Sequence, residues 1–309
     1  MKLGIVSLGG KSSKAVAKAA KKYFDQVDLL DIRQFEVNLA NSGPSVLYNQ
    51  KSLPKYDCLY IRGSTKYSLI QYAITSVLQQ STYIPFQPRT FLLGHDKFLT
   101  LLELQKNKIS IPKTYYVATK EIAKKTLDKA VRYPVIIKVP DGTHGKGVLI
   151  ADSTKSAKTI VDMLEVFKKP YIIQEFVKTR KTTDIRAIVV GDKVIAAYQR
   201  KAAKGEIRAN THSGGTRKPH MLTPEQEKLA IKSARAIKAD ICGVDILNTR
   251  RPSVIEVNLS PSVHAGINEV TGVKISREIA KYLYQQTAQV YKVESQGAFK
   301  NVLDWILKK

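Results

Sequence analysis

The sequence lacks the long apolar runs that would place it in a membrane: nowhere do roughly 18 consecutive apolar residues occur. Its first residues, MKLGIVSLGG, have no apolar core and cleavage site of an export signal; they read as a strand and a turn, so export is not expected. Only two cysteines are present, Cys58 and Cys242. Each lies in an apolar strand-like run, DCLYIRG and ICGVDIL. They read as small buried residues of a reducing, cytoplasmic protein rather than as a disulfide or metal site. Zinc-ligand spacings, recognition-helix patterns and RNA-binding aromatic signatures are missing, so specific nucleic-acid binding is not expected. Internal repeats and low-complexity tracts are missing too. Acidic residues are scarce, 26 against 51 lysines and arginines, which leaves a formal net charge of +25. Such a chain attracts polyanions. The excess fits a lysine-rich surface style, an anionic substrate or nucleic acid, and nothing else in the sequence supports the last.

What is there is a soluble-protein composition, 43% hydrophobic over 309 residues, long enough for more than one structural unit. The first part alternates strand and helix: KLGIVSL, a Gly-Gly turn, SSKAVAKAAKKYF, then QVDLLDI and CLYIRG, then a helix over about 67–80. That order predicts a parallel α/β sheet. The turn LGGKSS resembles an anion-binding helix start but lacks P-loop spacing. Pro85 and Pro88 mark a boundary, and one helix is expected over about 93–107. In the middle, YPVIIKVP, the loop DGTHGKG and GVLIADS form a strand–loop–strand unit. A helix over about 155–167 precedes YIIQEFV. Two long strands, DIRAIVV and KVIAAYQRKA, are joined by Gly191-Asp192, a hairpin signal. A polar loop (204–218) follows, then a helix capped by Thr223 with Pro224 at its first position. ICGVDIL and SVIEVNL then form an antiparallel pair, and the chain ends in helices. The expected divisions are 1–88, an α/β N-terminal domain; 89–168, a central lobe; and 169–309, a C-terminal lobe with its terminal helices.

Asp245, Glu256 and Asn258 stand out first. Glu256 and Asn258 are two apart on one strand and so share a face, and Asp245 can join them from the partner strand. Two carboxylates and an amide oxygen are hard donors suited to Mg²⁺ shared with phosphates. A polar sheet face with one ion pair is the alternative, weakened by the apolar flanks of both strands. Lys138 ends an apolar strand, where it can meet a nucleotide phosphate as a point charge. The glycines after it, Gly142, Gly145 and Gly147, flank Lys146 and let a loop cover phosphates with backbone N–H groups. Gln174 and Glu175 can present backbone groups and a carboxylate to a base and ribose, or form an ordinary strand end. Asp184, Arg186, Arg200, Arg208 and Asn210 cluster on the hairpin and the loop after it. Arginines aimed at one pocket can neutralise a phosphoryl group and an oxyanion; solvated surface arginines are the alternative.

Together, HDKF, VIIKVPDGTHGKGV, IIQEFV, DIRAIVVGDKVIAA, RKAAKGEIRANTHSGG, CGVDIL and IEVNLSPSVHAGINEVTG resemble the ATP-grasp superfamily, and within it the RimK-type glutamate ligases. The resemblance spans about residues 95–284. It implies an α/β N-terminal domain followed by two α+β lobes gripping ATP. It implies that Lys97 and Lys138 contact ATP phosphates, with Gly145, Lys146 and Gly147 in the covering loop and Arg186 alongside. It implies that Gln174, Glu175, Phe176 and Val177 hold the adenine, with Glu175 and Asp184 near base or ribose. Asp245, Glu256 and Asn258 are implied to bind two Mg²⁺ ions, with Mn²⁺ able to substitute. Arg200, Arg208 and Asn210 match positions facing phosphates and acyl substrate.

The chain departs from the family's EVN-x-SPG pattern after the metal strand. Here the text is Ser260-Pro261-Ser262-Val263-His264, a stretch implied to border the incoming amine, so Ser260, Ser262 and His264 bear on amine specificity. His144 stands where relatives commonly have glutamine. The resemblance implies an ADP-forming ligase that joins a carboxylate to an amine through an acyl phosphate. L-Glutamate is the implied amine, and the acceptor an acidic small molecule or protein such as a poly-glutamyl coenzyme or a protein C-terminus. A ligase for another amine, like those using an amino-group carrier in lysine or arginine biosynthesis, is the first alternative. A non-catalytic nucleotide or nucleic-acid binder on the same fold is the second. A homo-oligomer is compatible with the sequence.

Overall fold

The computed structural model describes residues 1–140, 147–179, 183–203 and 215–306, without the side chains of residue 291 and residues 293–306. Residues Met1–Phe91 and Ser262–Lys309 form one compact unit, and Leu92–Pro261 a second.

The first unit opens with β1 (Lys2–Ser7), whose apolar run is buried after its first residue. Helix α1 (Lys11–Ala20) leads to β2 (Gln26–Asp31), which lies parallel to β1. Strands β3 (Phe35–Ala40), β4 (Gly43–Tyr48) and β5 (Lys51–Ser52) then make a small antiparallel sheet that the sequence reading leaves unassigned. β6 (Cys58–Ile61) returns to pair with β1, giving the parallel order β2-β1-β6. Helix α2 (Ser68–Leu78) follows, and α3 (Pro88–His95) has its residues from Leu92 onward in the second unit.

In the second unit the single helix expected over about 93–107 is broken. Asp96 has extended backbone and accepts from the Leu99 amide at 2.9 Å, so it caps a new helix, α4 (Lys97–Lys106). Then come β7 (Thr114–Tyr116), α5 (Lys120–Lys129), β8 (Val135–Lys138), β9 (Val148–Ala151), α6 (Thr154–Val166) and β10 (Ile172–Glu175). Their strands form one antiparallel sheet in the order β7-β10-β8-β9. Buried Ala123 and Leu127 of α5 and Ala157 and Val161 of α6 pack with Ile137 and Ile173 of the strands. The expected boundary at 168 falls inside this layer, because β10 hydrogen-bonds between β7 and β8.

The second sheet of this unit has the order β13-β12-β11-β14-β15, from β11 (Thr183–Val190), β12 (Lys193–Lys201), β13 (Thr216–Pro219), β14 (Ile241–Leu247) and β15 (Ser253–Asn258). β11 and β12 are the hairpin turning at Gly191, whose φ is 60°. Residues 216–218, the end of the loop expected from sequence, belong instead to β13 and pair with the end of β12. Helix α7 (Pro224–Ala236) begins with a capping box between Thr223 and Gln226 and with Pro224 in its first turn.

The chain then returns to the first unit with α8 (Ala265–Thr271) and α9 (Ile275–Ile306). α9 buries Ile279, Ala280 and Leu283 and packs against α1 and β6, with Tyr284 edge-on to Phe24 at 5.7 Å. Both helices therefore group with the N-terminal sheet rather than with the last lobe, and the buried face of α9 packs on α1. Both cysteines are free and buried, as expected. Among the described residues no helix is long and apolar enough to cross a membrane.

One contact ties α3 to the end of β15. A Cβ on Gly94 would stand 2.7–2.8 Å from three side-chain atoms of Leu259, which is buried and follows Asn258. Gly94→Ala is expected to cost about 1–3 kcal/mol through overpacking. Its thermal midpoint should fall by several degrees, at about 2–4 °C per kcal/mol for a domain of this size. A scanning-calorimetry midpoint equal to the parent's would show that Leu259 yields without strain.

Candidate active site

Residues opposite one another in an antiparallel pair share a face. In the five-stranded sheet, Arg200 of β12 lies opposite Asp184 of β11. Arg186 of β11 lies opposite Asp245 of β14. Asp245 in turn lies opposite Glu256 of β15, and Gly243 opposite Asn258. The pairing slips between Asp245 and Ile246, leaving Ile255 unopposed. Such a bulge twists a strand end and re-aims its side chains. The outcome is a row of charged residues across four strands.

The row is tightly paired. Arg200 donates to both oxygens of Asp184, at 2.6 and 2.7 Å, in the fork geometry only arginine offers. Arg186 does the same to Asp245, at 2.6 Å to each oxygen. A second nitrogen contact of Arg200 reaches Asp245 Oδ2 at 2.9 Å, which links the two pairs. Asn258 Nδ2 stands 3.5 Å from the same oxygen. Asp184, Arg200 and Asp245 are all buried. Burial pushes the Asp245 carboxyl up, but Arg186 and Arg200 outweigh it and hold it below the usual carboxylate range. Burial wins at Asp184, whose carboxyl stands above that range despite Arg200. The two aspartates raise Arg200 well above its ordinary value against the effect of burial, so its charge is permanent.

Both oxygens of Asp184 accept from Arg200, which it holds in place. Asp245 shares its oxygens with two guanidiniums. Glu256 is half-buried and accepts no hydrogen bond among the described residues. Its carboxylate, with those of Asp245 and the Asn258 amide, is a hard-oxygen set of the kind Mg²⁺ prefers. No three of His, Cys, Asp and Glu cluster as metal ligands among the described residues. Two carboxylates and one amide instead suit an ion completed by substrate phosphates.

The four-stranded sheet contributes the cations. Lys138 ends β8, buried, and its Nζ donates to Gln174 Oε1 at 2.9 Å. Gln174 is steered by Thr114, whose hydroxyl accepts from Nε2 at 2.7 Å. Burial pushes Lys138 down to about 8; Lys97 repels it further, and Glu256 opposes the fall. Lys97 and Glu256 are thus each within electrostatic reach of Lys138. Lys97 Nζ donates to the Pro140 carbonyl at 3.3 Å, just ahead of the glycine loop. At the loop's far end Val139 N donates to Gly147 O at 3.1 Å. Gly147 has φ 75°, and a Cβ there would stand 2.5 Å from Val139, so this closure requires glycine.

Glu175 is exposed at the end of β10, with its amide bonded to the Lys113 carbonyl, and Phe176 and Val177 follow half-buried. Ser262 and His264 lie in the first unit, where the Val263 amide donates to Ser12 Oγ at 3.2 Å and His264 precedes α8. Ser260 lies in the second unit. Gly145, Lys146, Arg208 and Asn210, with His144, lie outside the described residues. Sequence reasoning missed Thr114, because a threonine in KTYY carries no signal until β7 is paired with β10.

Fold and site define an ATP-dependent ligase that forms carbon–nitrogen bonds and releases ADP, using ATP with Mg²⁺. The chain belongs to the RimK-like ATP-grasp family, whose domain it matches over residues 94–283. It is 32% identical over 301 residues to a probable alpha-L-glutamate ligase of Marinomonas sp. (strain MWYL1), covering 96% of this chain and 99% of that one. It is 30% identical over 304 residues to the ribosomal protein bS6–L-glutamate ligase of Escherichia coli O81 (strain ED1a), covering 96% and 100%. Among solved structures it is similar to a RimK domain ATP-grasp protein from Sphaerobacter thermophilus DSM 20745. The TM-score there is 0.71 at 18% identity, with 91% of this chain and 99% of that one covered. The D-alanine–D-alanine ligase of Bacillus anthracis complexed with ATP shares the fold, with a TM-score of 0.67 at 14% identity over 95% and 99%.

Proposed function

We propose that this chain adds L-glutamate to the carboxylate of an acidic acceptor, through an acyl phosphate. The observation that supports it most is the coupling of buried Lys138 to Glu256. It brings phosphate-seeking cations of one sheet to the hard-oxygen donors of the other, and the glutamate ligases among the relatives supply the amine. In this reading an acceptor carboxylate oxygen attacks the γ-phosphorus of ATP, and the bond to the bridging oxygen breaks, releasing ADP. The glutamate nitrogen then attacks the acyl carbon, loses a proton, and phosphate leaves with the C–O electron pair. Lys97 and Lys138 bind phosphates. Arg200, fixed by Asp184 and Asp245, faces the phosphoryl group and the oxyanion, and Arg208 and Asn210 assist there. Gln174, Glu175, Phe176 and Val177 seat the adenine. Asp245, Glu256 and Asn258 would hold two Mg²⁺ ions, which would neutralise charge on the transferring phosphoryl group. Ser260, Ser262 and His264 border the amine. The two sheets of the second unit act as the gripping lobes, and the first unit is a separate domain.

The test is ADP release with an acidic peptide acceptor and a panel of amino acids, with mass spectrometry of the product. Release that depends on both acceptor and L-glutamate, with a mass gain of one glutamyl residue, is expected. Release with lysine but not glutamate would favour the other-amine alternative. Release indifferent to any amine would overturn ligation.

Lys138 sets a pH dependence. In the free protein its ammonium titrates near 8 rather than at the ordinary 10.5. Phosphate favours the charged form, so nucleotide affinity should be steady below that pH and fall about tenfold per unit above it. Lys138→Met should bind weakly at every pH and lose the dependence. The same depressed value means that this group's contribution to folding stability is present above 10.5 and is lost as pH falls through 8. Titration of a fluorescent ATP analogue from pH 7 to 9.5 reads the affinity; a slope unchanged in the variant would remove Lys138 from the phosphates.

A further inference from the structure

A groove of about 570 Å³ in the first unit is untouched by the chemistry above. One wall is α1, whose Lys14, Lys18 and Lys21 are spaced four and three residues apart and so stand on one helical face. All three are exposed. None is ion-paired among the described residues. The single acid of the lining, Asp28, is already engaged: Tyr56 Oη donates to it at 2.9 Å and Gln26 Nε2 at 2.7 Å. The floor is β2, the edge strand of the parallel sheet, with Leu29 44% exposed in the groove. The Asp31 amide donates to Tyr48 Oη at 3.2 Å, away from β1. Groups alternate along a strand, so the N–H and C=O of Val27 and Leu29 point the same way, off the free edge into the groove.

We infer that this groove binds an acidic peptide segment in extended conformation, added as a strand to the edge of β2 beneath the lysine row. An added strand takes its affinity from main-chain hydrogen bonds and its selectivity from alternate side chains. Here one set of side chains would meet three uncompensated ammonium groups, and the other the apolar surface of Val27 and Leu29. A peptide fits better than RNA. The Tyr48 ring packs on Phe35 at 5.0 Å and its hydroxyl is taken by Asp31, so it offers no stacking face to a base. Resting on the reading of the chain as a ligase for acidic acceptors, the inference makes the acceptor a polypeptide, held by a surface of the N-terminal unit.

The experiment uses the full chain without nucleotide and a dye-labelled peptide of alternating glutamate and valine, followed by fluorescence anisotropy. K14E/K18E is expected to weaken binding about tenfold or more. K228E/K232E, on exposed lysines of α7, alters the net charge equally and should leave binding within about twofold. K18E alone gives the same direction if the double variant folds poorly. Amide exchange at Val27 and Leu29 should slow on binding. Equal weakening by the α7 pair, unchanged exchange at β2, or displacement by inorganic phosphate or a single-stranded RNA ahead of the peptide would each overturn the proposal. Turnover separates the two readings. With the peptide as acceptor, K14E/K18E should raise its KM about tenfold and leave kcat within about twofold. An unchanged KM sinks the groove and leaves the ligase; binding as described with no acceptor-dependent ADP release sinks the ligase and leaves the groove.

Discussion

Asp245→Ala is expected to abolish ligation and to destabilise the second unit by about 3–5 kcal/mol, because it strands the half-buried Arg186 guanidinium and takes from buried Arg200 one of its two carboxylates. Arg186 donates two hydrogen bonds to this carboxylate and Arg200 stands 2.9 Å from it. Arg186 then keeps its charge with no carboxylate partner among the described residues, since arginine does not deprotonate in a protein, while Arg200 keeps Asp184 alone. At about 2–4 °C per kcal/mol the thermal midpoint should fall by roughly 6–20 °C. Asp245→Asn separates the two effects. The amide keeps the shape and one acceptor oxygen, so the loss of stability should be smaller. It removes the negative charge that fixes the arginines and, in the proposed function, the metal, so ADP release should still fall by at least about a hundredfold. The measurement is ADP release with saturating substrates beside a melting curve for each variant. A stable Asp245→Asn protein with the parent's turnover would leave Asp245 a partner for arginines and nothing more.

The sequence carries the local parts of this arrangement and not the pairings. The β11–β12 hairpin is legible because Gly191-Asp192 sits between two apolar, β-branched runs, and α7 because Thr223, Pro224 and Gln226 are all start signals. The small sheet of β3–β5 is hidden. Pro44 and Gly43 lie inside β4, and a proline there argues against a strand read from sequence. Helix α5 is hidden for another reason: only Ala123 and Leu127 of its residues are buried, so charge masks its period. At the site, Glu256 and Asn258 share a face by spacing alone. That Asp245 is their neighbour on one side and the partner of Arg186 on the other follows from β14 lying between β15 and β11. No local pattern states that order. Asp184 is the clearest case, since its place on the strand is readable while its partner is fixed by hairpin register. The same register gives Arg200 a role that one arginine in so basic a chain could not claim.

Arg200→Met is the complementary test. Asp184 and Asp245 are buried with Arg200 between them, and the methionine fills the volume without the charge. The variant should lose about 3–5 kcal/mol near neutral pH, because a buried carboxylate is left without its ion partner. The sign of the pH dependence follows from Asp184, whose carboxyl is already raised by burial and rises further without Arg200. A raised folded value gives stability that is fully present below the unfolded carboxylate range and lost as pH rises through the folded value. The gap between variant and parent should therefore narrow on acidification and widen toward neutral pH. Asp184→Asn combined with Arg200→Met removes the stranded charge and should recover about half or more of the lost stability, the non-additivity expected of residues in one ion-pair network. Turnover should not return with it, because the cation proposed to meet the phosphoryl group is still missing. A double variant that regained both stability and ADP release would make Arg200 a structural cation and move transition-state stabilisation to the lysines of the other sheet.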